Sequence, residues 1–453
     1  MWETNGKTKY FWLIMAADVV ILNLSIILAY LIRFKFTLPE ENFRPYLQLF
    51  LWISIGSIIL LNVYKLYAVS PRTRWDDQFY SIVMVAILGF MLNISLTYIS
   101  ANYAFPRSVF LISGVLQLIF LTFWRYFLWK FTKKALGVQK AVIVGSCSDV
   151  LETAGRFVDF SESHLEIVGL ITDGPGQLVG DGGYQILGSL CDFDKLLTKA
   201  DHDVVIITPS IDKDIKEKVV CYCYTVGKEV FLIPDLYEVL MIKASLNLID
   251  DIPVFNIKNK AEEYEFIKRL FDLVIGVLIT LITLPVAMII AMIIKLDSPG
   301  PVIYKQDRVT KGGKVFTLYK FRTMVQDAES ASGPVLAVED DLRVTRVGKV
   351  LRVCRLDELP QLINVIGGDM SLVGPRPERP FFVDQYSKEI TGYENRHLIK
   401  PGITGIAQIA GKYSTGPKEK LVFDLLYAKK NNVLVDFQIL LNTIKILFMK
   451  NKD

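Results

Sequence analysis

Four long apolar stretches crowd the first 130 residues, roughly 10–32, 46–63, 80–99 and 109–127, and each is close to the ~20 residues an α-helix needs to cross hydrocarbon. A backbone in lipid must satisfy its own hydrogen bonds, so residues 1–135 are expected to form four transmembrane helices. The first stretch is too long for a signal peptide's apolar core and has no small-residue cleavage site after it, so it is expected to stay as an anchor. Lys7, Lys9, Lys65, Arg72, Arg74, Arg125, Lys130, Lys133 and Lys134 lie near span ends on one side, against Arg33, Lys35, Arg44 and Arg107 on the other. The larger basic count on the first side places the amino terminus, and the chain after the fourth span, inside. Asp18 falls within the first stretch, either as a functional group or as a polar contact between helices.

Composition fits this outline. Hydrophobic residues make up 52% of the 453 and charged residues 22%, where a soluble chain averages about 25% charged. The net charge of +4 is small and its signs are interleaved, which excludes an electrostatic footprint for nucleic acid. Five cysteines without a C-x-x-C pair, and only three histidines, argue against a disulfide framework or a zinc site and suit a reducing, cytosol-facing location.

After residue 135 the rhythm changes. AVIVGS (141–146), EIVGLITD (166–173), DVVIITPS (203–210) and EVFLIPD (229–235) are short apolar runs separated by helical or turn-like segments. This alternation predicts a parallel, Rossmann-like α/β domain over 136–245. Its first strand ends in Gly145-Ser146-Cys147-Ser148-Asp149, without the later glycines that let a backbone approach a pyrophosphate. The domain is therefore a structural or regulatory module, or it holds a nucleotide-like ligand with Asp173; Cys221 and Cys223 read as helix packing.

A charged linker and amphipathic lead-in over 246–268 precede a fifth apolar run, 270–294, interrupted by Pro285. Proline removes one backbone hydrogen bond and clashes with the preceding turn, which predicts a kink near Leu284-Pro285 with Thr280 or Thr283 serving freed carbonyls. If the last third works on a cytosolic substrate, this helix enters one leaflet, bends and returns; the alternative is a kinked fifth span. Residues 269–453 form the expected catalytic domain, of mixed α/β character.

RVCRLDELPQLINVIGGDMSLVGPRPERP (352–380) carries the polar chemistry. Asp357 is expected as a helix N-cap with Pro360 in the first turn, an apolar face of Leu359, Leu362, Ile363 and Ile366, and a stop at Gly367-Gly368. A helix amino terminus favours ionised carboxylates and attracts phosphate. One carboxylate can attack phosphorus while its neighbour, Glu358, holds Mg²⁺. Gly374-Pro375-Arg376-Pro377 stiffens a turn around one guanidinium suited to phosphate.

KQDRVTKGGKVFTLYKFRTM (305–324), RLDELPQLINVIGGDMSLVGPRPERP (355–380) and KPGITGIAQIAGK (400–412) resemble successive signatures of the bacterial sugar transferases, the polyprenyl-phosphate hexose-1-phosphate transferases. With four spans and a Rossmann-like middle, the chain is similar to the long form of that family. The resemblance implies transfer of hexose-1-phosphate from a UDP-hexose to undecaprenyl phosphate, with release of UMP, at the inner membrane of a bacterial cell. The catalytic domain would be cytoplasmic. The product would start an exopolysaccharide, capsule or O-antigen that downstream glycosyltransferases extend, and the long form implies a homodimer and a glucose- or galactose-type sugar. Carried over by position, Asp357 is the nucleophile, Glu358 the Mg²⁺ ligand, Arg352 and Arg376 phosphate binders, and Lys320 and Arg322 further basic contributors. Ile406, Ala410 and Lys412 stand where the family often has tryptophan, asparagine and arginine, which leaves the sugar open. Two rivals are a membrane-tethered NAD-dependent nucleotide-sugar enzyme, against which the broken glycine fingerprint counts, and a non-catalytic scaffold, against which the Asp357-Glu358 pair counts.

Overall fold

Four helices occupy the apolar stretches of the first 136 residues: α1 (Phe11–Arg33), α2 (Glu40–Val63), α3 (Trp75–Ile99) and α4 (Arg107–Leu136). The computed structural model describes residues 11–68, 73–100, 106–158, 165–173, 184–242, 244–249, 252–257, 261–325, 341, 343–410 and 416–448. All four helices are long and apolar enough to cross a membrane. Trp12, Trp52, Phe123 and Phe131 point outward, a surface that lipid accepts and water does not. The protein is a membrane protein. Between the helices lie Ser25, Ser54, Ser57, Ser81 and Thr97, all buried, small polar residues of the kind that let membrane helices pack closely. Asp18 resolves as a polar contact between helices: it is ion-paired with Arg125 of α4, which also donates to the Leu66 carbonyl and lies 5.2 Å over the Tyr67 ring.

A five-stranded parallel sheet follows, in the order β3-β2-β1-β4-β5. Its elements in sequence are β1 (Gln139–Gly145), α5 (Cys147–Val158), β2 (Leu165–Thr172), β3 (Ile186–Ser189), α6 (Phe193–Lys199), β4 (Val204–Ile207), α7 (Lys213–Val226) and β5 (Glu229–Leu232). Ala141, Ile143, Val204 and Ile206 face α5, while Val142, Val144, Val205 and Ile207 face α6 and α7. Burial on both faces explains why these strands read as unbroken apolar runs. Cys223 is buried in that core and Cys221 is exposed. Asp173 accepts from Cys147 N at 3.1 Å, so it occupies the amino end of α5 itself.

The chain divides into two units, 1–235 and 236–453. The short helix α8 (Leu236–Met241), expected with the middle domain, belongs to the second unit, where Val239 packs against Tyr393, Leu421 and Leu425. An antiparallel hairpin, β6 (Ser245–Ile249) and β7 (Ile252–Asn256), lies in the expected linker.

Next comes α9 (Ala261–Asp297), a single helix of 37 residues containing Pro285. Polar groups anchor its start: Lys268 pairs with Asp436 at 2.6 Å, and Asp272 accepts from Leu372 N at 3.1 Å. Its middle is apolar and exposed, and Ile290 and Ile294 near its end pack on Phe321 and Leu351. Thr280 donates to the Gly276 carbonyl and Thr283 to that of Ile279, at 2.7 and 2.8 Å. The carbonyl that Pro285 frees belongs to Leu281, so these hydroxyls serve other carbonyls than the expected one.

The rest of the unit comprises the antiparallel pair β8 (Ile303–Val309) and β9 (Val315–Phe321), α10 (Arg346–Val353), α11 (Gln361–Gly367) and β10 (Ser371–Val373). After these come α12 (Pro380–Glu389), β11 (Gly402–Thr404), α13 (Ile406–Ala410), α14 (Pro417–Lys430) and α15 (Val433–Phe448). β10 and β11 pair in parallel.

Candidate active site

The two acids sit where α10 turns into α11. Thr345 caps α10, accepting from Gly348 N at 3.0 Å. After the helix Arg355 takes left-handed backbone, φ 53°. For a residue with a side chain this costs about 1–3 kcal/mol and is found most often at functional sites. The reversal starts a 3-10 turn over Leu356–Glu358, and the tight bonding continues through Leu362 N to Leu359 O and Ile363 N to Pro360 O, both 3.1 Å.

The sequence predicts Asp357 as the cap of the following helix, but Pro360 holds that position. Arg355 begins the turn early, and Pro360, with no N–H to satisfy, fits the junction between the two helical pieces. Asp357 and Glu358 thus share a separate turn ahead of α11.

The inward face of α11 is Leu362, Asn364 and Val365, whereas Ile363, expected on the apolar face, is 57% exposed. The reason is Asn364, only 2% exposed. Its amide donates to Thr317 O at 2.8 Å and accepts from Tyr319 N at 3.1 Å, fixing α11 to β9 one residue from Lys320. Gly368, φ 95°, ends the helix as the paired glycines predict. Arg269 of α9 donates to the last carbonyls, Val365 O and Ile366 O, at 2.6 and 2.7 Å.

Four of the expected site residues converge here. Lys320 Nζ lies 3.1 Å from Glu358 Oε1, and Arg376 Nη2 lies 3.0 Å from the same atom. Asp357 is buried at 9% exposure on the same turn. Burial pushes the Glu358 carboxyl up, but the adjacent Arg376 and Lys320 charges and hydrogen bonds outweigh it and hold it down at about 2. Asp357 is raised above its ordinary value by burial, against the pull of Lys320 and with help from the Glu358 charge. Burial lowers Lys320, and the Arg376 charge adds to that.

Arg352 stands behind the turn, donating from Nε to Thr323 Oγ1 at 2.9 Å, and its charge acts on Asp357. Arg322 is not brought in. It is buried and donates to Pro299 O and Ser298 O at 2.8 and 2.7 Å, closing the turn after α9. The alternation of β9 explains this: Lys320 and its even-numbered neighbour Arg322 share a strand direction, but the strand ends at Phe321, so the pattern no longer governs Arg322. Pro285 lies on α9, and of the positions that depart from the family pattern, Ile406 is buried, Ala410 is exposed and Lys412 lies outside the described residues.

The acids supply hard oxygen donors. Among the described residues no cluster of three or more His, Cys, Asp or Glu could cage a metal. Asp357 and Glu358, two carboxylates on one turn, are donors of the kind Mg²⁺ takes alongside waters and substrate phosphates. Both cationic contacts fall on Glu358 Oε1, and Oε2 is the atom a cation would take. Sequence reasoning does not reach Asn364, Thr323, or Arg308 and Arg396, which donate to the Pro377 and Arg376 carbonyls; a lone asparagine inside LINVI is the one available signal.

Comparison with known proteins identifies the region. The bacterial sugar transferase family model matches residues 263–450. UDP-N-acetylgalactosamine-undecaprenyl-phosphate N-acetylgalactosaminephosphotransferase of Aeromonas hydrophila is 45% identical over 187 residues, 41% of this chain and 44% of its own length. UDP-glucose:undecaprenyl-phosphate glucose-1-phosphate transferase of Escherichia coli is 38% identical over 250 residues, 54% of each. The chain thus spans about half the length of these two relatives. The exopolysaccharide production protein PSS of Rhizobium leguminosarum is 38% identical over 188 residues, 39% of this chain and 93% of its own length. With one relative matched over nearly its full length and the acid-bearing turn, β9 and the Arg376 loop all inside the matched region, the chain belongs to the bacterial sugar transferase family.

Proposed function

We propose that the protein transfers hexose-1-phosphate from a UDP-hexose to undecaprenyl phosphate, giving undecaprenyl-diphosphate-hexose and UMP and so initiating an exopolysaccharide, capsule or O-antigen. The observation that carries this is the arrangement of Glu358 between Lys320 and Arg376 with Asp357 on the same turn. The substrates named for the Aeromonas and Escherichia coli relatives, a UDP-sugar and undecaprenyl phosphate, support it. Those two relatives differ in the sugar, so UDP-glucose is our first donor and UDP-N-acetylgalactosamine the one to set against it.

In the first step an Asp357 oxygen attacks the phosphorus that bears the sugar, and the bond to the bridging oxygen breaks, releasing UMP. In the second, an oxygen of undecaprenyl phosphate attacks the same phosphorus and frees the Asp357 carboxylate. Lys320, Arg376 and Arg352 bind and orient the phosphate oxygens. Glu358 would hold Mg²⁺, which when bound would neutralise charge on the diphosphate.

In this scheme α1–α4 are four spans of the inner membrane, the parallel sheet is a Rossmann-like module, and α9 is re-entrant with the catalytic domain on the cytoplasmic side. Support for the last comes from both ends of α9. Glu265 near its start is ion-paired with Lys311, beyond its end. Arg269 reaches α11, while Ile290 and Ile294 reach β9 and α10, which belong to the same folded body. A straight helix would separate Arg269 from Ile294 by roughly 37 Å, at 1.5 Å per residue. The test is to incubate purified full-length protein in nanodiscs with Mg²⁺, undecaprenyl phosphate and a panel of UDP-sugars. UMP and a lipid-linked sugar are expected; a folded protein that yields neither from any donor overturns the proposal.

A further inference from the structure

The loop carrying Arg376 contains two prolines and so lacks two of its own donors. Each carbonyl along it is met from elsewhere. Pro375 O accepts from Gly402 N at 2.8 Å and Glu378 O from Val309 N at 3.0 Å. Between them, Arg376 O accepts from Arg396 Nη2 and Pro377 O from Arg308 Nη1, both at 2.9 Å. Two of the four donors are therefore the side chains of Arg396 and Arg308, which reach the backbone behind Arg376.

Each of these arginines is itself held. Arg396, 5% exposed on the 3-10 run Tyr393–Leu398, is ion-paired with Asp424 of α14 at 2.9 Å and bonded to the Tyr393 hydroxyl. Arg308 of β8 donates twice to Gln306 Oε1, at 3.1 and 2.6 Å, and lies 3.6 Å from Glu378. Desolvating a guanidinium is costly, and packing alone is served by an apolar side chain. A backbone with carbonyls to satisfy and few donors of its own explains the choice of arginine.

We infer that Arg396, with Asp424, and Arg308 are positioning residues that fix the Arg376 loop, so that a half-exposed guanidinium is presented to Glu358 and the sugar-bearing phosphate. The inference rests on the proposed transfer reaction. Arg376 lies 45% exposed and carries a flexible side chain; its reach is defined only if its backbone is. Displacing such a group by about 1 Å can cost on the order of 10²-fold in rate.

The test is a pair of double-mutant cycles in full-length protein in nanodiscs, reading kcat and KM for the UDP-sugar that wild type uses. One cycle combines Arg396→Met/Asp424→Leu, which leaves no charge unpaired, with Arg376→Ala; the other combines Arg308→Gln with Arg376→Ala. Each clamp variant is expected to lower kcat/KM about tenfold or more in the wild-type background and by less than about twofold once Arg376 is alanine, because groups that act through one another are not additive. A purely structural role lowers the melting midpoint and the folded yield but gives equal fold-losses per folded molecule in both backgrounds, and that result overturns the inference. If the Arg396/Asp424 variant fails to fold, the Arg308 cycle decides alone. Wild-type protein that releases no UMP from any UDP-sugar sinks the transfer reaction and the clamp together, whereas active wild type with equal losses sinks the clamp only.

Discussion

Replacing Glu358 by glutamine tests how the centre of the site is balanced. Glutamine keeps the shape and the Oε1 acceptor but removes the charge, leaving Lys320 and Arg376 facing each other across a group that is only 11% exposed. Removing one member of a buried ion pair costs about 3–5 kcal/mol. Two features reduce that here: the hydrogen bonds to Oε1 can persist, and Arg376 is 45% exposed and screened by solvent. About 2 kcal/mol of destabilisation is therefore expected, below the range for a fully buried pair. For a unit of this size that corresponds to a fall of roughly 4–8 °C in the melting midpoint. The assay is a thermal melt of purified protein in nanodiscs in metal-free buffer, paired with UMP release titrated against Mg²⁺. The variant is expected to melt earlier and to need more Mg²⁺ for half-maximal rate. A midpoint unchanged from wild type would refute the ion-pair reasoning, and an unchanged Mg²⁺ titration would refute the assignment of Glu358 as the cation's ligand.

Asp357→Asn preserves the turn but removes the nucleophilic charge, so UMP release is expected to fall to background in a protein that melts like wild type; near-normal release rules Asp357 out as nucleophile. Arg322→Lys should lower the melting midpoint through loss of contacts to Ser298 and Pro299 while leaving kcat/KM of the folded enzyme within about twofold of wild type, since surrounding groups more than a contact away add independently. A raised KM for the UDP-sugar would return Arg322 to the phosphate site. Cysteines placed at Phe266 and Lys314, in a chain lacking the five native ones, should both resist an impermeant thiol reagent in intact cells; labelling at 314 alone shows that α9 crosses the membrane.

What the sequence made legible was what local pattern or a fixed backbone geometry dictates. The apolar stretches of α1–α4 follow from an outer surface that lipid accepts, the buried strands AVIVG and VVII from burial on both faces of the sheet, and Gly367-Gly368 ends α11 because a left-handed φ is cheap only for glycine. Asp357, Glu358 and Arg376 stand out in 352–380 as acids at an expected helix start and a guanidinium between prolines, whereas their roles, and Lys320 altogether, come from the resemblance to the sugar transferases. Their mutual geometry was not visible, since Lys320 meets Glu358 across 38 residues and only after Asn364 has pinned α11 to β9. The misplaced cap has a similar origin: helix-start rules describe an ordinary chain entering a helix, whereas Arg355 enters through a left-handed residue that no propensity favours.

Arg322 and Arg396 show why residue type alone cannot sort such a site. Both are arginines in or beside family-like motifs, and both spend their donors on backbone carbonyls, Arg322 at the end of α9 and Arg396 beneath Arg376. The difference is what each carbonyl belongs to. A grip on the turn after α9 secures the membrane helix to the fold, so its loss is felt as stability. A grip on the backbone of Arg376 secures the one half-exposed guanidinium that touches Glu358, so its loss is felt where phosphate is bound, and a change there alters rate before it alters the fold.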